Sequence, residues 1–144
     1  MTEGFSMDSF SLKGKLALVT GASYGIGFAI ATAFAQAGAK IVFNDRDPAK
    51  IEKAEKDYAE LGIEAHGYQC DVTDEQAVQN MVKDINDQYG VIDILVNNAG
   101  IIKRIPMTEM SAADFRQVVD IDLNAPFIVS KAVIPGMIAK GHGK

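Results

Sequence analysis

The stretch TGASYGIG, residues 20–27, restricts the fold more than any other segment of the chain. The run before it, KLALVT (15–20), is apolar without alternation, the pattern of a strand buried on both faces. Beyond it Ile26, Ile30, Phe34 and Ala37 recur at helical spacing, and Gly38 marks a stop. A strand, a glycine turn and a helix in that order make a cradle for phosphate. Gly21 permits the tight turn off the strand, Gly25 lets backbone approach a pyrophosphate, and Gly27 lets the helix pack closely. The helix N-terminus offers free N–H groups and a positive dipole end to the anion. Ser23, Tyr24 and Ile26 share the loop and are candidate cofactor contacts. The alternative is a structural turn without a ligand, and the flanking strand and helix weigh against it.

The same alternation continues along the chain. KIVFN (40–44) reads as a second strand, and Asp47 with Pro48 opens a helix whose apolar stripe is Ile51, Ala54, Tyr58 and Leu61. IEAHGYQ (63–69) is a weaker third strand. Thr73 and Gln76 form a capping-box pair ahead of Val78, Met81, Val82 and Ile85. VIDILV (91–96) is the fourth strand. Ser111 and Asp114 open a last helical region that passes Pro126 and Pro135, where kinks or a break are expected. Strands alternating with helices predict a doubly wound parallel sheet. GHGK (141–144) falls where a fifth strand would start, so the architecture reads as interrupted. Residues 1–14 lack periodicity and are expected to be a flexible arm; 15–144 form one incomplete domain.

The second strand runs into Asn44-Asp45-Arg46-Asp47. An acidic residue there accepts hydrogen bonds from the adenine-ribose hydroxyls, and Asp45 is placed for that. Its carboxylate repels a 2′-phosphate and favours NAD, whereas Arg46 could pair with that phosphate and favours NADP. The choice stays open, tilted slightly towards NAD. Asp45, Arg46 and Asp47 also fit a plain solvated charge cluster.

Composition narrows the rest. Of 144 residues 48% are hydrophobic and 23% charged, the balance of a globular chain. A net charge of −5 argues against nucleic acid or an anionic membrane surface as the main partner. No apolar run in the sequence approaches the roughly 18 residues that span a bilayer. The opening residues lack a secretory signal, and the one cysteine, Cys70, fits a reducing compartment, so a cytoplasmic location is expected. Cys70 reads as a small buried hydrophobe at a strand end. His66 and His142 form no acid–base or metal constellation, and no metal is expected.

The spacing Gly-x-x-x-Gly-x-Gly, together with NNAG (97–100) after the fourth strand, resembles the short-chain dehydrogenase/reductase family. The resemblance covers nearly the whole chain beyond the arm. It implies a Rossmann-like sheet with strand order 3-2-1-4. It also implies that Asp71 and Val72 of CDVTD contact adenine, and that Asn97, Ala99 and Gly100 lie along a nicotinamide dinucleotide. Asn124 in DIDLNAPF matches the helix asparagine of the family's catalytic tetrad. Within the family, NNAGIIKRIPM and IDLNAPFIVSKAVIPGMIAKGHGK look most like the gluconate 5-dehydrogenase type, which implies a sugar-acid substrate. Arg104 would then lie beside the nicotinamide end, where a guanidinium could pair with a substrate carboxylate. It also fits an exposed loop cation.

The resemblance has a gap. The family's reaction uses a serine after the fifth strand and a Tyr-x-x-x-Lys on the next helix. Tyr24, Tyr58, Tyr68 and Tyr89 are each followed four residues later by a residue other than lysine. Asn124 is therefore the only tetrad member present. The chain reads as the truncated, cofactor-binding portion of an oxidoreductase, inactive alone, or else as a stand-alone nucleotide-binding module. An uncovered fourth strand and an apolar patch at Phe127, Ile128, Val133 and Ile134 predict self-association.

Overall fold

A computed structural model of the chain describes residues 7–144. Strand β1 (Leu16–Thr20) is followed by α1 (Gly25–Gln36), β2 (Lys40–Asp45), α2 (Pro48–Glu60), β3 (Ala65–Gln69), α3 (Glu75–Tyr89) and β4 (Ile94–Val96). A last helical run contains α4 (Ala112–Val119), a π-turn (Asp120–Asn124) and α5 (Ala125–Lys140). The four strands are parallel in the order β3-β2-β1-β4. The expected Rossmann-like sheet is the observed one.

Register explains why β1 has no exposed position. Leu18 lies between Val42 and Leu95, and all five β1 residues are buried. Alternate residues feed two cores. Leu16, Leu18 and Val42 join Val78, Ile85 and Val129 under α3 and α5. Ala17, Val19, Ile41 and Phe43 join Ala31, Ala54 and Tyr58 under α1 and α2. The Tyr58 hydroxyl donates to the Ala22 carbonyl at 2.8 Å while its ring stacks on Phe28, which fastens α2 to the glycine loop.

Several boundaries differ from the sequence reading. Ile26 faces outward from the first turn of α1, and the buried positions there are Gly27 and Ala31. Leu61 lies past the end of α2 and is exposed. Strand β4 starts only at Ile94, and just before it the Asp93 carboxylate, not a backbone carbonyl, accepts from the Leu16 N–H. The cap of α3 is Asp74, which accepts from the Ala77 N–H at 3.0 Å; Thr73 instead donates to Asp71, and Gln76 bonds Asn80. The Thr73 hydroxyl turns back to Asp71, and the Asp74 carboxylate takes the cap in its place. Asp47 and Ser111 cap α2 and α4 as expected.

The two prolines act differently. Pro126 sits just after the π-turn, where the wider i→i+5 winding accommodates its missing N–H and its ring. Pro135 lies inside α5, and the helix continues to Lys140. The whole run, Ala112–Lys140, is 29 residues and long and apolar enough by composition to cross a membrane, which the sequence reading did not anticipate. Here it carries Asp120, Asp122 and Lys131 and packs Ala125, Val129 and Val133 into the core beside α3. Those three are its buried residues, while Phe115, Leu123, Phe127, Ile134 and Ile138 along the same run are exposed.

Two further points concern the ends. Leu12 is tied down: its N–H donates to the Ala37 carbonyl at 2.8 Å and its side chain packs on the core under α1 and α2. The free edge of β4 is partly taken, because the Lys144 N–H donates to Asp93 C=O and its carbonyl accepts from Leu95 N–H. Of the expected apolar patch, Val133 is buried and Ile128 packs on the core, leaving Phe127 and Ile134 exposed.

Candidate cofactor-binding site

The four strands end at one side of the sheet, and the residues just beyond them enclose a groove of about 410 Å³. Its floor is the glycine loop. The helix that starts there differs from α2, α3 and α4: Asp47, Asp74 and Ser111 cap those three, whereas no side chain caps α1. The first N–H groups of α1 are thus left for a ligand, and they lie where a phosphate would enter.

Each glycine of the loop meets a different constraint. Gly21 has φ +66°, and a Cβ on it would come 2.9 Å from the Ala99 Cα. A Cβ on Gly27 would come 2.9 Å from the Ala22 Cα and the Gly21 carbonyl. Gly25 has φ +64°, yet a Cβ there would meet nothing within 4 Å. Its requirement is backbone conformation, with open space above it.

The loop is clamped to the end of β4. Thr20 Oγ1 accepts from the N–H groups of Asn98 and Ala99, both at 3.0 Å, and donates to the Val96 carbonyl. The Asn98 amide donates back to the Thr20 carbonyl at 2.9 Å and the Gly21 carbonyl at 3.2 Å. Buried Asn44 fixes the neighbouring strand: its amide donates to Cys70 C=O, and its Oδ1 accepts from Gly21 N–H. Sequence reasoning missed Thr20, Asn44 and Asn98. The doubled asparagine was a signal, but nothing in it says which one turns inward.

At the end of β2, Asp45 accepts from the Ser23 hydroxyl and, at 2.9 Å, from the Asp47 N–H. Ser23 is buried and lies behind the groove wall. Asp71 and Val72 line the groove beside Asp45 and Arg46. The Asp71 carboxyl is held below the usual carboxylate range by hydrogen bonds from the Thr73 hydroxyl and N–H, against the cost of burial, with Arg46 adding attraction. Burial pushes the Cys70 thiol up to about 11, with Asp71 and Asp74 contributing, so it stays protonated and inert at neutral pH.

At the other end, Ala99, Gly100 and Ile121 line the groove. Asp122 of the π-turn accepts from the Ile101 N–H at 2.9 Å, tying the loop after β4 to the last helical run. Tyr24, Ile26 and the three glycines also line the groove. Four expected residues do not: Ser23 is buried behind the wall, and the other three are engaged or placed elsewhere. The Asn97 amide donates to Ser130 Oγ, the Asn124 amide donates to Asp120 at 2.7 Å, and Arg104 is exposed on the following loop. Among the described residues, no group of three or more His, Cys, Asp or Glu could hold a metal ion.

Comparison with known proteins fits this geometry. The family model described as short chain dehydrogenase matches residues 15–144. The 2-dehydro-3-deoxy-D-gluconate 5-dehydrogenase of Formosa agariphila is 51% identical over 140 residues, covering 96% of this chain and 53% of that protein. The crystal structure of 2-keto-3-deoxy-D-gluconate dehydrogenase from Streptococcus agalactiae is 72% identical with a TM-score of 0.84, covering 93% of this chain and 50% of that one. A gluconate 5-dehydrogenase from Burkholderia cenocepacia, solved with NADP and tartrate, is 38% identical with a TM-score of 0.87, covering 94% and 53%. The chain spans about half the length of these relatives. An uncapped helix behind a glycine loop, at the ends of a 3-2-1-4 parallel sheet, agrees with what the matches say: the chain belongs to the short-chain dehydrogenase family.

Proposed function

We propose that this chain supplies the nicotinamide-dinucleotide site of an oxidoreductase that interconverts an alcohol and a ketone on a gluconate-type sugar acid. The observation that carries the reading is the uncapped N-terminus of α1 opening into the groove beneath Gly25. The residues present fit the cofactor. Backbone N–H groups of α1 would hold the pyrophosphate, Asp45 the adenosine ribose, and Asp71 with Val72 the adenine. Ala99 and Gly100 would support the nicotinamide end, with Asn97 behind them on Ser130. The bound dinucleotide would supply hydride transfer; this chain's residues bind and orient it.

The names of the matched relatives favour 2-keto-3-deoxygluconate and gluconate as the substrate class, and Arg104 is a free-standing cation for their carboxylate. An NADP-bound relative removes the tilt towards NAD, so both cofactors belong to the reading. A cytoplasmic setting follows from their need for a nicotinamide pool. Asn124 is within the π-turn, where it would serve the proton path of a complete site. These residues contain no tyrosine with a lysine four positions on, so binding without turnover is the activity of this chain by itself. Exposed Phe115, Leu123, Phe127, Ile134 and Ile138 along the last helical run support self-association.

Calorimetric titration with NAD and with NADP tests the reading. Binding of either that disappears in Gly25→Val, whose side chain would enter the open space above the loop, supports it. Absence of binding to both would overturn it.

A further inference from the structure

We infer that Lys50 decides how well the groove accepts a 2′-phosphorylated cofactor; the inference rests on the dinucleotide reading above. Lys50 stands in the first turn of α2, five residues beyond Asp45. Its ammonium lies 5.0 Å from the centroid of the Tyr24 ring, a cation–π contact that holds a flexible side chain over the glycine loop. There it forms part of the wall between the groove and a neighbouring hollow of about 480 Å³, backed by Ser23, Phe28 and Lys53.

The charge of Lys50 is uncommitted. The other two lysines of α2 are paired within the helix, Lys53 with Asp57 at 2.5 Å and Lys56 with Glu52 at 2.7 Å. Among the described residues, no carboxylate lies within ion-pair distance of Lys50. Arg46 also lines the groove next to Asp45 and is likewise without an ion pair among the described residues, so Lys50 adds a second cation to it. Asp45, which lines the same groove, accepts from Ser23 and from the Asp47 N–H.

A ribose with a free 2′-hydroxyl needs only an acceptor there, and Asp45 is one. A 2′-phosphate brings a charge of about −1.5 to −2, which Asp45 repels. A nearby ammonium that gives up no ion pair to bind it offsets that repulsion as a point charge.

The test is the ratio of NAD to NADP dissociation constants, measured by calorimetry on the whole chain, with Lys50→Gln and Lys50→Arg. Adenosine 2′,5′-bisphosphate and adenosine 5′-monophosphate serve as probes of the same end. Lys50→Gln is expected to shift preference away from the 2′-phosphorylated ligands about tenfold, the effect of one charge-assisted hydrogen bond. Lys50→Arg, which keeps the charge, should hold the ratio within about threefold of the parent. A ratio unchanged in Lys50→Gln overturns the role of Lys50 while leaving the dinucleotide site standing. If the parent chain binds neither dinucleotide, the site itself fails and the inference with it.

Discussion

Replacing Asp93 by alanine should destabilise the fold well away from the groove, and the structure sets the size of the loss. Asp93 is only 3% exposed. One carboxylate oxygen accepts from the buried Leu16 N–H at 2.9 Å, and the other accepts from Lys140 at 2.7 Å, with Lys15 at 4.0 Å and His142 at 3.6 Å. Burial pushes its pKa up, but the Lys140 and Leu16 hydrogen bonds and the charges of Lys140 and Lys15 outweigh that and hold it below the usual range. Alanine strands the Leu16 N–H, which costs about 1–3 kcal/mol. The half-exposed Lys140 pair adds no more than about 1 kcal/mol. A total of about 2–3 kcal/mol lowers the melting temperature by roughly 5–10 °C in a domain of this size. Asp93→Asn retains an oxygen for Leu16 and should lose only about 1 kcal/mol. Because the folded pKa is lowered, the carboxylate stabilises fully above its unfolded value. That contribution is lost as pH falls through the folded one, and the asparagine variant lacks this acid limb. Urea unfolding followed by circular dichroism, at neutral and at acid pH, measures all three quantities. Asp93→Ala within about 0.5 kcal/mol of the parent would refute the reasoning, since that is the scatter of a neutral surface change.

Asp45→Ala should weaken NAD about tenfold through loss of the ribose acceptor and weaken NADP less, because the repulsion goes with it; equal losses in calorimetry would remove Asp45 from that role. Gly27→Ala should lower dinucleotide affinity at least about tenfold, since its Cβ meets backbone 2.9 Å away at Ala22 and Gly21, and a loop shift should appear in amide chemical shifts. Asn98→Ala should cost about 1–2 kcal/mol in unfolding experiments by freeing the Thr20 and Gly21 carbonyls, and should weaken both cofactors alike. Sedimentation at several concentrations checks self-association through the exposed face of the last helical run, where Phe127→Lys should shift the distribution towards monomer.

The sequence was most legible where a residue type has only one physical use. A glycine-rich turn between an apolar run and a helical pattern allows few arrangements, and alternation of strands and helices leaves a parallel sheet. Patterns based on periodicity failed at element ends. Ile26 fits the helical repeat, but the first turn of α1 faces the groove, so it is exposed. Thr73 with Gln76 fits the capping-box pattern and Asp74 does not, yet the Thr73 hydroxyl turns to Asp71 and Asp74 takes the cap.

The composition of the glycine loop, the acidic residue ending the second strand and the order of the elements are local facts, and these by themselves determined the fold class and the type of ligand. The partners of Thr20, Asn44 and Asn98 lie 23 or more residues away in the chain, apart from the immediate turn. Whether such a side chain points into the loop or out to solvent depends on the strand register that brings β1, β2 and β4 together. Lys50 is the same kind of case. As sequence it is one lysine among several on a helix; only the packing of α2 against the glycine loop puts its charge over Tyr24 and leaves it without a carboxylate.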